Sequence, residues 1–135
     1  MSVLVQKLDN QFGLFWIPVS GALVAVRLNH VSGTVSCSRG SKSFWGCGTL
    51  PSLESIRIII TNSSDYALLP QKPQVFYTIP GYNSNSPQLV FPDFQPPLAV
   101  YSGQELRVWY SEDWKDVHEG DNSGLSCADV YAKII

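Results

Sequence analysis

Hydrophobic and polar residues alternate with a period of two through much of this chain, and no stretch keeps the three-to-four spacing of an amphipathic helix. Ala22 to Leu28 (ALVAVRL) sets Val24, Val26 and Leu28 on one face and predicts an early strand. Turn-prone residues follow from Asn29 to Gly33, and Val31 to Ser38 is expected to pair back on that strand. Ile56 to Thr61 (IRIIIT) is a nearly continuous β-branched run, which suits a central strand buried on both faces. Val75 to Ile79, Leu89 to Phe91 and Leu98 to Tyr101 predict shorter strands, the last two separated by the proline-rich 92–97, a composition of sheet edges and crossings. Leu106, Val108 and Tyr110 share one face of a late strand, and Ala128, Val130, Ala132 and Ile134 one face of the last. Phe12 to Val19 reads equally as a strand or a wandering arm. About eight strands with frequent turns predict an all-β fold, a two-sheet antiparallel β-sandwich of jelly-roll type.

Between the strands lie two exposed-loop candidates. Ser38 to Gly48 is Gly/Ser-rich and carries Phe44 and Trp45 near its expected tip, and Pro80 to Pro87 carries Tyr82. Asn62-Ser63-Ser64 is an N-glycosylation sequon and equally a turn.

Length and composition narrow the class. The 135 residues fit one domain, 1–135, with 44% hydrophobic and 15% charged residues, enough to bury a core. The net charge of −2 comes without any Lys/Arg cluster of the kind that tracks phosphates, so nucleic acid is excluded as a partner. The longest apolar segment, Leu14 to Leu28, is broken by Pro18, Ser20, Gly21 and Arg27, so no membrane-spanning helix is expected. Met1 to Asn10 has neither the basic nor the apolar region of a signal peptide. Three cysteines, at 37, 47 and 127, lack zinc-site spacing; Cys37 and Cys47 could close a short step and leave Cys127 over. Two histidines and no nucleophile motif give no support to an enzyme.

The candidate chemistry sits between the last two strands. In 112–122 the carboxylates of Glu112, Asp113, Asp116, Glu119 and Asp121 crowd together, and their repulsion disfavours a compact loop unless a cation neutralises it. Asp and Asn offer the hard oxygens that calcium takes, and the neighbouring glycines let the backbone turn sharply enough to add its carbonyls. Trp114, inside the loop, offers a flat face to a sugar ring or packs beneath the loop; Trp109, leading into it, is expected to pack. Trp45 and Tyr82 would rim the same pocket if their loops lie at the same end of the sandwich.

A strand, an acidic residue, a short variable stretch, Asp121-Asn122-Ser123-Gly124 and a closing strand together resemble the calcium loop of the galactose-binding-domain-like jelly rolls, of the calcium-dependent galactophilic lectin type. The resemblance implies Asp113, Asp121 and Asn122 as calcium ligands, with a backbone carbonyl at Val117 or His118. It further implies a metal that holds two sugar hydroxyls; Trp114 and Asp116, from their own place in the loop, are expected beside the ligand. The longer string from Trp109 to Tyr131 is also similar to a module of secreted and skeletal-matrix proteins of marine invertebrates. The function expected from these residues is a secreted, calcium-dependent, carbohydrate-binding lectin for galactose-type glycans, with an oligomer as the usual route to avidity. The alternative is an extracellular structural or adhesion module in which calcium only stiffens the loop.

Overall fold

The computed structural model describes residues 2–6, 12–36, 42–48, 52–72, 74, 76–111 and 123–135. These form a two-sheet antiparallel β-sandwich, and the only helical element among them longer than one residue is a 3-10 turn at Ser52–Glu54. The strands are β1 (Ser2–Gln6), β2 (Phe12–Trp16), β3 (Gly21–Ser36), β4 (Lys42–Ser43), β5 (Ile58–Asn62), β6 (Ala67–Leu69), β7 (Gln88–Val90), β8 (Leu98–Val100), β9 (Glu105–Tyr110) and β10 (Ser123–Ile134). One sheet runs β1-β10-β3-β4, and the other runs β2-β9-β5-β6.

β3 organises the first sheet. One edge pairs with β10 from Ser36 to Leu23, and the other receives β8, β7 and β4 in turn along its length. This corrects the expected hairpin at Asn29 to Gly33: the chain does not reverse there, because β10 supplies partners on both sides of the turn-prone residues. The local irregularity is absorbed instead by a register shift opposite Cys127 and Ala128 that leaves Val31 as the extra residue, and by a positive φ of 77° at Gly33. A second shift, opposite Lys133 and Ile134, makes Val24 the extra residue, so Leu23 rather than Val24 joins Val26 and Leu28 in the core.

The core lies between the sheets. Leu23, Val26, Leu28, Ala128 and Val130 meet Phe15, Ile58, Ile60, Leu106 and Val108 across it, and Trp45, Ile56, Phe91 and Phe94 close it from the connections. β5 is interior to its sheet and buried on both faces, as its unbroken β-branched run requires. Ile58 and Ile60 enter the main core, while Ile59 points outward and is still fully buried. Trp109, its partner on β9, is nearly buried beside it: the Phe12 ring lies 4.7 Å from the Trp109 ring, and the indole N–H donates to Thr61 Oγ1 at 3.2 Å. Trp109 is thus a packing residue, and Phe12 to Trp16 is a strand paired with β9.

One further difference from the sequence reading, at 75–79, and one turn it anticipated, at Asn62, have local causes. Among the described residues of 75–79 the ladder reduces to Tyr77, which exchanges both backbone hydrogen bonds with Ile56 and donates its hydroxyl to the Ile58 carbonyl. Burial pushes that phenol well above its usual pKa, so it remains a donor. At Asn62 the side-chain oxygen accepts from the Ser64 and Tyr66 N–H groups, which fixes the β5–β6 turn with Asp65 at a φ of 63°.

Candidate functional site

The acidic connection leaves one sheet and enters the other. β9 ends at Tyr110 in the four-stranded sheet, and β10 begins at Ser123 in the six-stranded one. Asp113, Trp114, Asp116, Val117, His118, Asp121 and Asn122 lie outside the described residues. What is described is the frame at both ends.

At the upstream end Tyr110 and Ser111 are fully buried. The Tyr110 hydroxyl donates to the Gly46 carbonyl at 3.0 Å, and the Ser111 N–H donates to the Arg57 carbonyl at 2.7 Å. Tyr110 also sits opposite Ile58 in the β5–β9 ladder. At the downstream end Ser123 and Gly124 pair with Ser36 and Val35 of β3, and Leu125 is flanked by Thr34 on one side and Gln6 on the other. Both ends are therefore held in ladders. Tyr110→Phe is expected to lower stability by about 1–3 kcal/mol, because it leaves the buried Gly46 carbonyl without its donor. A shift of the urea midpoint at unchanged slope would register it.

The segment at Gly46 is itself clamped. Phe44 and Trp45 both donate their N–H groups to the Ser84 carbonyl at 2.9 Å, and Ser84 returns its hydroxyl to the Cys47 carbonyl at 2.6 Å. The Gly46 N–H donates to Ser43 Oγ, and the Trp45 carbonyl accepts from the Arg57 N–H. Through Ser84, Cys47, Gly46 and Tyr110, the 80–87 loop is brought beside the start of the acidic connection. Tyr82, in that loop, is half-buried and packs against the core.

Trp45 is placed differently from the sequence reading. Its side chain is 0% exposed and its indole N–H donates to the Ser86 carbonyl at 2.7 Å. The Gly/Ser-rich composition around it suggested an exposed tip, but Lys42 and Ser43 pair with β3 and turn the following residues inward. An enclosed indole with its N–H already engaged has no face for a ligand, so Trp45 leaves the set of candidate contacts. Phe44 is half-buried and stacks on the His30 ring at 3.6 Å, and His30 Nε2 lies 2.7 Å from the Gly33 carbonyl. His30 is thus a structural residue.

Among the described residues, no group of three or more His, Cys, Asp or Glu side chains could hold a metal ion. Arg57, whose carbonyl accepts from the Ser111 N–H, holds its guanidinium 5.2 Å from the Phe76 ring centroid. Cys47 is disulfide-bonded and Cys127 is a free, half-buried thiol, while Cys37 lies outside the described residues. The sequence reading missed the Ser84 clamp and the Tyr110 to Gly46 contact. A glycine directly after a tryptophan, in Trp45-Gly46-Cys47, was their one available signal.

No family model and no curated protein matches this chain. Among solved structures it is similar to AJLec from the sea anemone Anthopleura japonica, with a TM-score of 0.85 and 26% identity, over 100% of this chain and 93% of that one. The chain thus shares a lectin-like β-sandwich with a sea anemone lectin along its whole length.

Proposed function

We propose that this protein is a secreted, calcium-dependent lectin in which the connection between β9 and β10 carries the sugar-binding site. The observation that carries the reading is the end-to-end likeness to a sea anemone lectin at a TM-score of 0.85. The donor chemistry of the connection supports the metal: carboxylate and amide oxygens are the hard ligands calcium takes. Asp113, Asp121 and Asn122 would hold it, with a carbonyl at Val117 or His118. Calcium so held supplies coordination positions to two neighbouring hydroxyls of a sugar such as galactose. Trp114 then offers its ring to the apolar face of that sugar, Asp116 accepts from a further hydroxyl, and Tyr82 flanks the ligand from the adjoining loop. Trp45 has no part in this. The disulfide at Cys47 fits an oxidising, extracellular compartment.

A site with few carboxylates on an extracellular module is expected to bind calcium with a Kd on the order of 10⁻⁴ to 10⁻³ M. The test is an array of galactose-terminated and control glycans, probed with calcium and again after EDTA. Expected is retention of galactose-terminated glycans in calcium and a loss of about tenfold or more on chelation, reversed by added calcium. A rise in melting temperature with calcium but no glycan retained at saturating metal would replace the lectin reading with a structural site.

A further inference from the structure

The outer face of the six-stranded sheet carries features that the acidic connection does not explain. On β3, Arg27 and Asn29 flank the buried Leu28 and so point away from the core. Arg27 sits opposite Tyr131 of β10 and opposite Val90 of β7, and Ala25 sits opposite Lys133. The Arg27 guanidinium carbon lies 4.5 Å from the centroid of the Tyr131 ring, which is 46% exposed. A cleft of about 340 Å³ opens here, lined by Ala25, Arg27, Val90, Tyr131, Ala132 and Lys133. That volume falls within the range of small-molecule sites, about 300–1,000 Å³.

Two polar atoms in this row lack partners among the described residues. Arg27 Nε, a donor, and Asn29 Oδ1, an acceptor, are both buried without a hydrogen bond. Buried polar groups are satisfied in the great majority of cases, so such a pair on one face marks a place for a ligand's own groups. The Arg27 guanidinium matches a carboxylate or sulfate in charge and planar donor geometry, and Lys133 adds a second positive charge. The apolar side chains of Ala25 and Val90 suit the C–H face of a ring, and Asn29 Oδ1 suits one hydroxyl. Eight residue steps along β10 take Ser123, where the acidic connection joins the strand, to Tyr131; at about 3.3 Å per step that is roughly 26 Å.

We propose that Arg27, Asn29, Tyr131 and Lys133 form a second ligand site, separate from the acidic connection, that takes an acidic sugar residue carrying a carboxylate or a sulfate ester. The proposal rests on the carbohydrate-binding reading but requires no metal. The experiment titrates the whole protein in EDTA with galactose, galacturonate and galactose 6-sulfate, following binding by NMR. Expected is at least about tenfold tighter binding of one or both acidic sugars than of galactose. Arg27→Gln should remove that preference, and Lys133→Gln, at an exposed position that does not threaten folding, should weaken it roughly threefold. Equal binding of all three sugars, or unchanged acidic binding in both variants, overturns the site. Galactose bound in calcium with no acidic sugar bound in EDTA overturns it while leaving the lectin reading intact. An acidic sugar bound in EDTA with galactose never bound in calcium supports this site and removes the other.

Discussion

Asp121→Ala is expected to abolish calcium-dependent glycan binding while leaving the sandwich folded. Calcium needs six to eight oxygens, and of the proposed ligands only Asp113 and Asp121 are charged, so each charged donor carries a large share of the affinity. Losing one from a site whose Kd is already on the order of 10⁻⁴ to 10⁻³ M takes the metal out of its working range. Sugar uptake should fall with it by roughly 100-fold or more, the equivalent of about 2.7 kcal/mol. The fold should tolerate the change, because the β10 ladder begins beyond it, with Ser123 opposite Ser36, and the upstream support at Tyr110 and Ser111 is independent of it. The checks are paired. Wild type should gain about 2.7 kcal/mol of stability at calcium a hundredfold above Kd, and the variant none. Without calcium the two should melt together. Asp121→Asn, which keeps one oxygen and loses the charge, should fall between them. If Asp121→Ala leaves glycan uptake and the calcium-dependent rise in melting temperature as in wild type, the connection is not the metal site.

The sequence disclosed the fold where one physical rule acted alone. At β5 the β-branched run left burial on both faces as the only good solution, and the structure places it inside its sheet with Ile58, Ile59 and Ile60 all buried. At β10 the alternation of Ala128 and Val130 with polar neighbours was plain, and those two residues are in the core. Legibility failed where local and long-range preferences opposed each other. Asn29 to Gly33 has turn composition, yet a long partner strand holds it extended and leaves Val31 as a bulge. Bulges also defeat simple period-two counting, which is why Val24 and Leu23 exchanged roles. Trp45 misled for a related reason: composition reports the neighbours along the chain, whereas the indole is enclosed by residues roughly forty positions away, Ser84 and Ser86. For the candidate site, the sequence showed the crowding of carboxylates but not the supports that hold it, since Tyr110 and Gly46 are 64 residues apart. The Arg27 and Tyr131 pair was equally hidden, because only the register of β3 against β10 brings them opposite each other.

Trp45→Ala is expected to be among the most damaging single substitutions in this protein, and to act on stability without touching ligand recognition. Removing a fully buried indole leaves a large cavity between the sheets, and such changes cost about 3–5 kcal/mol. The lost bond to the Ser86 carbonyl adds to that. Against a total stability of about 5–15 kcal/mol for a domain of this kind, the loss is severe, and the melting temperature should drop by roughly 10–20 °C. The neighbouring backbone leaves little room to relax. A Cβ added at Gly46 would lie 2.1 Å from the Ser55 carbonyl oxygen, so the two strips already meet at their closest approach, and Gly46→Ala should be comparably destabilised. Trp45→Phe keeps most of the volume and should recover more than half of the loss. The discriminating measurement is glycan affinity per folded molecule, taken well below the lowered transition. A buried structural tryptophan predicts affinity close to wild type at reduced melting temperature. A ligand-contacting one predicts the reverse, with melting preserved and affinity lost, and that outcome would return Trp45 to the binding surface and displace the enclosed placement described above.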